Sequence, residues 1–198
     1  SIKFPEEPDA ERLSVTYSAP RELCEKLISL FGVGKAESIL ASYLETPALT
    51  LRVNTLRTTR DKLIERLESE GFECTLTATS PYGIRVVGSG LPAEISEGLC
   101  YVQDESSQIS SLVLDPHEGD RLLDACACPG GKSFSAAMLM KNTGSITSRD
   151  LHASKLPLIS SGAQRLGISI IKTEERDSSL PRGEKFSKII CDVPCSGL

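Results

Sequence analysis

The sequence predicts an α/β protein: an open, doubly wound parallel sheet in the second half, preceded by a small α/β subdomain and a helical lead-in. Three observations carry this. Beyond Arg121 strand-like and helix-like stretches alternate, a pattern that implies parallel strands joined by right-handed crossovers. At Ala48 the apolar period switches to two, which marks a new unit. The first strand past Arg121 runs into Asp124-Ala125-Cys126-Ala127-Cys128-Pro129-Gly130-Gly131-Lys132, a turn of small residues that opens a helix. The expected divisions are a helical segment at 1–47, a small α/β subdomain at 48–103 and the first four strands of the parallel sheet at 104–198.

Taken in order, Ser18-Ala19-Pro20 followed by Leu23, Leu27, Ile28, Leu30 and Phe31 reads as a capped helix with proline in its first turn, stopped at Gly32. A second helix follows with Ile39, Leu40, Tyr43 and Leu44 on one face, closed by Pro47. Leu49, Leu51 and Val53 alternate with Thr50 and Arg52, the pattern of a half-buried strand. Thr58 with Asp61 forms a capping-box signature before Leu63, Ile64 and Leu67, and Gly71 stops that helix. Strands are predicted at Cys74–Thr77 and Ile84–Val87 across the turn Ser80-Pro81-Tyr82-Gly83, and again at Leu99–Val102. A helix capped by Asp104 carries Ile109, Leu112, Val113 and Leu114. The parallel strands are placed at 121–126, 145–149, 168–172 and 187–192, with helices at about 131–141 and 153–166. Residues 187–192 form an edge open to pairing, so self-association there is expected.

Composition bounds the function. In 198 residues, 39% hydrophobic and 25% charged content is that of a globular domain. No apolar run approaches the roughly 18 to 20 residues that span a bilayer, and Ser1 to Glu7 lacks a signal layout, so a cytoplasmic protein with no membrane partner is expected. Seven cysteines, an odd count, point to thiol chemistry before disulfides. The net charge of −5 argues against indiscriminate binding of nucleic acid. A basic stretch nevertheless runs from Leu51 to Arg66, where Arg52, Arg57, Arg60, Lys62 and Arg66 outnumber Asp61 and Glu65. It suits a solvated helix face or contact with phosphates.

The turn after the first parallel strand narrows the ligand. Glycines at a strand's carboxyl end let a ligand approach the backbone, and the free N–H groups of the following helix suit a carboxylate or phosphate. A Walker A loop needs glycine where Cys126 stands, and Pro129 removes an amide donor; the dinucleotide pattern G-x-G-x-x-G is absent. Asp150, nineteen residues past Gly131, suits ribose hydroxyls. Asp192-Val193-Pro194-Cys195-Ser196-Gly197 places a carboxylate and a thiol after the fourth strand.

The segments Asp124 to Lys132 and Asp192 to Gly197 closely resemble the two signatures of the Sun/Fmu family of S-adenosylmethionine-dependent RNA cytosine-5 methyltransferases. Leu51-Arg52-Val53-Asn54, Tyr101 to Ser107 and Arg165-Leu166-Gly167 resemble its flanking segments, so the similarity runs from about residue 20 to the end. The resemblance implies a Rossmann-like methyltransferase sheet in which Cys126, Ala127, Cys128, Pro129, Gly130, Gly131 and Lys132 wrap the methionine part of S-adenosylmethionine. It further implies that Asp150 binds the ribose, that Asp177 lies at the adenine, and that Asp192 approaches both cofactor and cytosine. Because C5 of cytosine is a poor nucleophile, the family adds a cysteine thiolate to C6 first. By the resemblance Cys195 matches the cysteine of product release, while the nucleophile lies further on, past Leu198; the chain alone is therefore expected to be inactive. The implied substrate is rRNA or tRNA opened at the target base, with Arg52, Arg57 and Arg60 as guides for its backbone. Cys128 and Cys191 depart from the family pattern, which usually has alanine and an aliphatic residue there. Cys126, Cys128, Cys191 and Cys195 do not have a usual zinc spacing, and no metal is expected. The alternative reading is a non-catalytic module that binds S-adenosylmethionine or RNA; a P-loop hydrolase stands a distant third.

Overall fold

A computed structural model describes residues 9–45, 48–180 and 183–194. Its contacts divide the chain into two compact units, Ser1–Pro47 and Ala48–Leu198. In the first unit, α1 (Asp9–Tyr17), α2 (Arg21–Phe31) and α3 (Val33–Ser42) bury Leu13, Cys24, Leu27, Ala36 and Leu40 against one another. The helix α1 was not expected from the sequence, and α2 differs from its reading. Pro20 occupies the cap position with no side-chain cap bond, and Ser18 has a positive φ of 51°. Gly32, at φ 76°, both ends α2 and begins α3, a turn that a residue with a Cβ would make under strain. Tyr43 and Leu44 lie beyond α3 and are exposed, so its buried face is Ala36 and Leu40 alone; Pro47 lies outside the described residues.

The second unit opens with β1 (Leu49–Val53), α4 (Arg60–Ser69), β2 (Glu73–Leu76), β3 (Gly83–Val87), the short α5 (Ala93–Ser96) and β4 (Cys100–Val102). The four strands form an antiparallel sheet in the order β2-β3-β1-β4. Leu51, Val53, Ile84, Val86 and Cys100 on one face pack on Leu63 and Leu67 of α4. The capping box shifts by one residue, since the side chain of Thr59, not Thr58, accepts from Lys62 N–H at 3.4 Å. β1 is also not half-buried: Thr50 and Arg52 on its second face are as hidden as Leu51 and Val53.

Next come α6 (Glu105–Leu114), β5 (Arg121–Asp124), α7 (Gly131–Leu139), β6 (Ser145–Asp150), a 3-10 turn at Ala153–Lys155, α8 (Leu156–Leu166), β7 (Ile171–Glu175) and β8 (Lys188–Ile190). All strand pairs in this sheet are parallel and the order is β7-β6-β5-β8, with β6 and β7 added on one side of β5 and β8 on the other, so the expected doubly wound sheet is present. Its core is Leu122 and Ile146 against Phe134, Ala137 and Met138 of α7 and Ile159, Ala163 and Leu166 of α8. α6 buries the polar Gln108 and Ser111, while Val113, expected on its apolar face, is exposed. β7 starts three residues later than predicted because Ile168 belongs to the stop of α8. Gly167 turns left-handed at φ 75° and Ile168 N–H returns to the Ala163 carbonyl at 2.8 Å, where Ile168 is buried.

Polar side chains tie the two sheets together. Asn54, fully buried, donates to the carbonyls of Gly98 (2.7 Å) and Leu166 (2.8 Å). Tyr101 Oη bonds Ser135 Oγ at 2.7 Å and Gln103 Oε1 at 3.2 Å, and its ring meets Phe134 edge-on at 5.8 Å. Burial pushes the Tyr101 hydroxyl up to about 12, so it stays a neutral donor. These bonds brace the start of α7, because Ser135 and Tyr101 both donate to the Gly131 carbonyl, at 3.0 and 3.2 Å.

Candidate functional site

A cavity of about 200 Å³ opens at the carboxyl ends of β5 and β8. The β5–α7 turn forms its floor through Asp124, Cys126, Ala127, Cys128, Pro129, Gly131 and Lys132; Asp192 closes one side and Val102, Gln103, Asp104 and Ser107 the other. A larger cavity of about 270 Å³ lies elsewhere, between the ion pairs of Arg149 and the Phe186 ring. The guanidinium of Arg149 is already held there by Glu174, at 2.8 Å, and Glu184.

The turn is held by its backbone. Ala125 N–H donates to the Ile190 carbonyl at 2.9 Å, Ala127 N–H to Arg149 at 2.7 Å and Gly130 N–H to Ala127 at 2.6 Å. The Cys128–Pro129 peptide is cis. Gly130 sits at φ 110°, and a Cβ there would stand 2.4 Å from the Phe134 ring, so the turn passes too close to α7 for any side chain. A Cβ on Gly131 would come within 3.3 Å of Gln103 Nε2. Gly131 and Lys132, in the first turn of α7, line the cavity, and the first amides of a helix, which have no acceptor within it, suit a carboxylate.

Asp124, which sequence reasoning treated only as the head of the motif, is the most perturbed carboxyl of the site. It is 1% exposed and accepts from Ser133 Oγ at 2.7 Å, and Ser133 in turn meets Ser148 Oγ at 2.7 Å. Burial lifts its pKa to about 6, against the pull of Ser133, the Cys126 amide and Lys132. A carboxylate kept at this cost beside a cavity suits a cationic ligand group. Asp192, by contrast, is more than half exposed and pairs with Lys132 Nζ at 2.5 Å.

The remaining expected residues divide. Asp150 ends β6 beside the cysteines of the turn; its Oδ1 accepts from His152 N–H at 3.1 Å and lies 3.9 Å from Lys155 Nζ. Cys128 Sγ donates to the Lys155 carbonyl at 3.7 Å, and burial, then Asp150, raises its thiol. Asp177 does not line the cavity. Its Oδ1 accepts from the hydroxyl of Ser179 at 2.6 Å and from its amide at 2.9 Å, which lowers its pKa, while neighbouring Ser178 ties this loop to the Ala125 carbonyl at 2.7 Å. Cys195 lies outside the described residues. Among the described residues no three Cys, His, Asp or Glu side chains converge as a metal site.

The arginine cluster is where the reading needs correction. Arg52, expected on the surface, is 1% exposed; its guanidinium lies 4.6 Å from the Tyr82 ring centre, and burial lowers its pKa. Arg57 donates to the Glu97 carbonyl at 2.8 Å, with its guanidinium packed close to Gly98 and Gly167. Arg66 pairs with Glu94 and Glu97, both at 2.7 Å. Arg60 stands half-buried at the start of α4. The sheet buries one of these cations and binds two more to its own acceptors.

A parallel sheet with the strand order β7-β6-β5-β8, a glycine turn at its topological switch and a cavity beyond the strand ends defines a Rossmann-like methyltransferase fold. A family model described as 16S rRNA methyltransferase RsmB/F matches residues 111–198, and one for the RsmF/B-like ferredoxin-like domain matches residues 19–90. The chain is 36% identical over 197 residues to a probable ribosomal RNA small subunit methyltransferase B of Bacillus subtilis, covering 96% of this chain and 44% of the relative. The crystal structure of PH0851 superposes with a TM-score of 0.88 at 30% identity, over 98% of this chain and 46% of that one. A methyltransferase homologue from Pyrococcus horikoshii gives a TM-score of 0.79 at 26% identity, over 87% of this chain and 57% of that one. The chain carries two domains of the RsmB/F (Sun/Fmu) family of rRNA cytosine-5 methyltransferases, and it spans less than half the length of the Bacillus subtilis relative. No described helix is long and apolar enough to cross a membrane.

Proposed function

We propose that this chain supplies the S-adenosylmethionine site of an enzyme that methylates C5 of a cytosine in ribosomal RNA. The observation that carries the reading is Asp124, a buried carboxyl with its pKa raised to about 6, on the floor of a cavity whose other wall is the glycine-hugging start of α7. Asp124 receives the α-ammonium of the cofactor, and the first amides of α7 receive its α-carboxylate. That polarity fits an amino acid and not a polyphosphate, which would place its charge against Asp124. Asp150, at the end of β6, takes the ribose hydroxyls, and the loop of Asp177 and Ser178 borders the adenine.

When bound, S-adenosylmethionine supplies an electrophilic methyl group. Lys132 holds Asp192 by their ion pair at the cavity mouth, where the carboxylate can hydrogen-bond the edge of a flipped cytosine as charge develops on the ring. Cys195, three residues on, serves product release. RNA backbone is guided by Arg60 rather than by the buried Arg52 or by Arg57, which is bound to the Glu97 carbonyl.

The test is calorimetry of the reduced chain with S-adenosylhomocysteine and, separately, ATP. Saturable binding of the first and none of the second is expected. Binding of ATP alone, or an affinity for S-adenosylhomocysteine left unchanged by Asp124→Asn, overturns the reading.

A further inference from the structure

At the edge of the same cavity two thiols come together: Cys126 lines it, and Cys191 immediately precedes Asp192, which also lines it. β5 and β8 are parallel neighbours with Asp124 opposite Ile190, and the Ala125 N–H reaches the Ile190 carbonyl at 2.9 Å. The next residue on each segment is a cysteine, Cys126 on one and Cys191 on the other. Continued by one residue, the register sets Cys191 opposite Ala125, with Cys126 one position along from it; neighbouring strands run about 4.8 Å apart, and a disulfide requires about 4.4–6.8 Å between Cα atoms. The two thiols already interact side chain to side chain. Both are free; Cys126 lines the cavity and is half-buried, and Cys191 is exposed. Cys128, the next thiol along the turn, is directed instead to the Lys155 carbonyl. Cys24 and Cys100 are buried in other cores.

We propose that Cys126 and Cys191 are a redox-modification site, closing to a reversible disulfide that pins the cofactor turn to the end of β8 and lowers affinity for the cofactor. The bond rests on the strand geometry alone; its effect on the ligand rests on the S-adenosylmethionine reading above. The oxidant is a small-molecule disulfide. Burial, the Cys191 thiol and the carboxylates Asp124 and Asp150 all disfavour a thiolate at Cys126, so the exposed Cys191 reacts first. Its thiolate attacks the dissolved disulfide and forms a mixed disulfide, expelling one thiolate. Cys126 then gives up its proton and attacks the Cys191 sulfur, expelling the second. Two protein thiols are oxidised and one small disulfide is reduced to two thiols. The bond ties Cys126, which lines the cavity, to the residue before Asp192, which also lines it, and so fixes two parts of the wall to each other.

The experiment incubates the whole chain with oxidised glutathione, maps disulfides by mass spectrometry with fragmentation that separates Cys126 from Cys128 and Cys191 from Cys195, and titrates S-adenosylhomocysteine before and after. Expected are a Cys126–Cys191 link, a loss of affinity of about tenfold or more, recovery with dithiothreitol, and neither effect in Cys191→Ser or Cys191→Val. A link through Cys128 or Cys195 in place of this pair, or a mixed disulfide that never resolves, overturns the site. A Cys126–Cys191 link with unchanged affinity overturns the closure. Should the reduced chain bind no S-adenosylhomocysteine, the cofactor reading fails, and the mapping alone decides the disulfide.

Discussion

The β5–α7 turn and the arginine-bearing stretch from β1 to α4 are the two loudest local signals in this sequence, and the fold treats them in opposite ways. The turn does in three dimensions what its residues suggest: Gly130 at φ 110° lies against Phe134, and Cys126, Gly131 and Lys132 face one cavity. The arginine stretch does not. Arg52 lies inside the sheet over Tyr82, Arg57 is bound to the Glu97 carbonyl and Arg66 to two glutamates. Backbone-borne function can be read from small residues because their steric demands are local, whereas a long cation acts wherever its neighbours let it reach.

Four substitutions test this contrast. The largest effect is expected at Gly130→Ala, where a Cβ must enter both a left-handed backbone and the Phe134 ring. Urea unfolding should show a loss of about 3 kcal/mol, with S-adenosylhomocysteine binding abolished; a neutral result would mean that the turn is not set by its backbone. Next is Asp124→Asn. Because burial raises the Asp124 pKa from 3.8 to about 6, the fold binds its proton more tightly than the unfolded chain does. That stabilisation is complete below about pH 4 and is lost as pH rises through about 6, a swing on the order of 3 kcal/mol. Wild type and variant should therefore match in stability near pH 4, and the variant should exceed wild type near pH 8. Equal stability at both ends would show that Asp124 is not held against its charge. The smallest effect is expected at Arg52→Met, which removes a buried cation and preserves volume. Stability should be unchanged or raised by about 1 kcal/mol, with RNA affinity of the full-length enzyme untouched. Arg60→Ala should lower the slope of RNA binding against salt by about one. RNA affinity that falls with Arg52→Met would restore the surface role assigned from the sequence.

The edges of legibility follow the same division. The parallel strands could be placed because each is bounded by a turn with local chemistry, yet β7 slid by three residues once Ile168 was drawn into the stop of α8. The capping box moved from Thr58 to Thr59, a one-residue choice decided by which hydroxyl reaches the Lys62 amide. α6 showed apolar residues of which Val113 faces away, while Gln108 goes inside because the face it meets is itself polar, with Ser80 bonded to it at 2.7 Å. Asp177 offered a carboxylate in the right place along the chain, and its own turn consumes it.

Periodicity and glycine placement in the linear chain were enough to establish the sheet class and to mark the β5–α7 turn, since both depend on contacts within a few residues, and the motifs were enough to point to the family. Tertiary structure alone decided which charges are available. It buried Asp124 until its pKa rose, paired Lys132 with Asp192 across sixty positions, hid Arg52 and set Cys126 beside Cys191. The physical reason is that the state of an ionisable group is set by desolvation and by partners, and both are supplied by segments distant in sequence that only the folded sheet brings together.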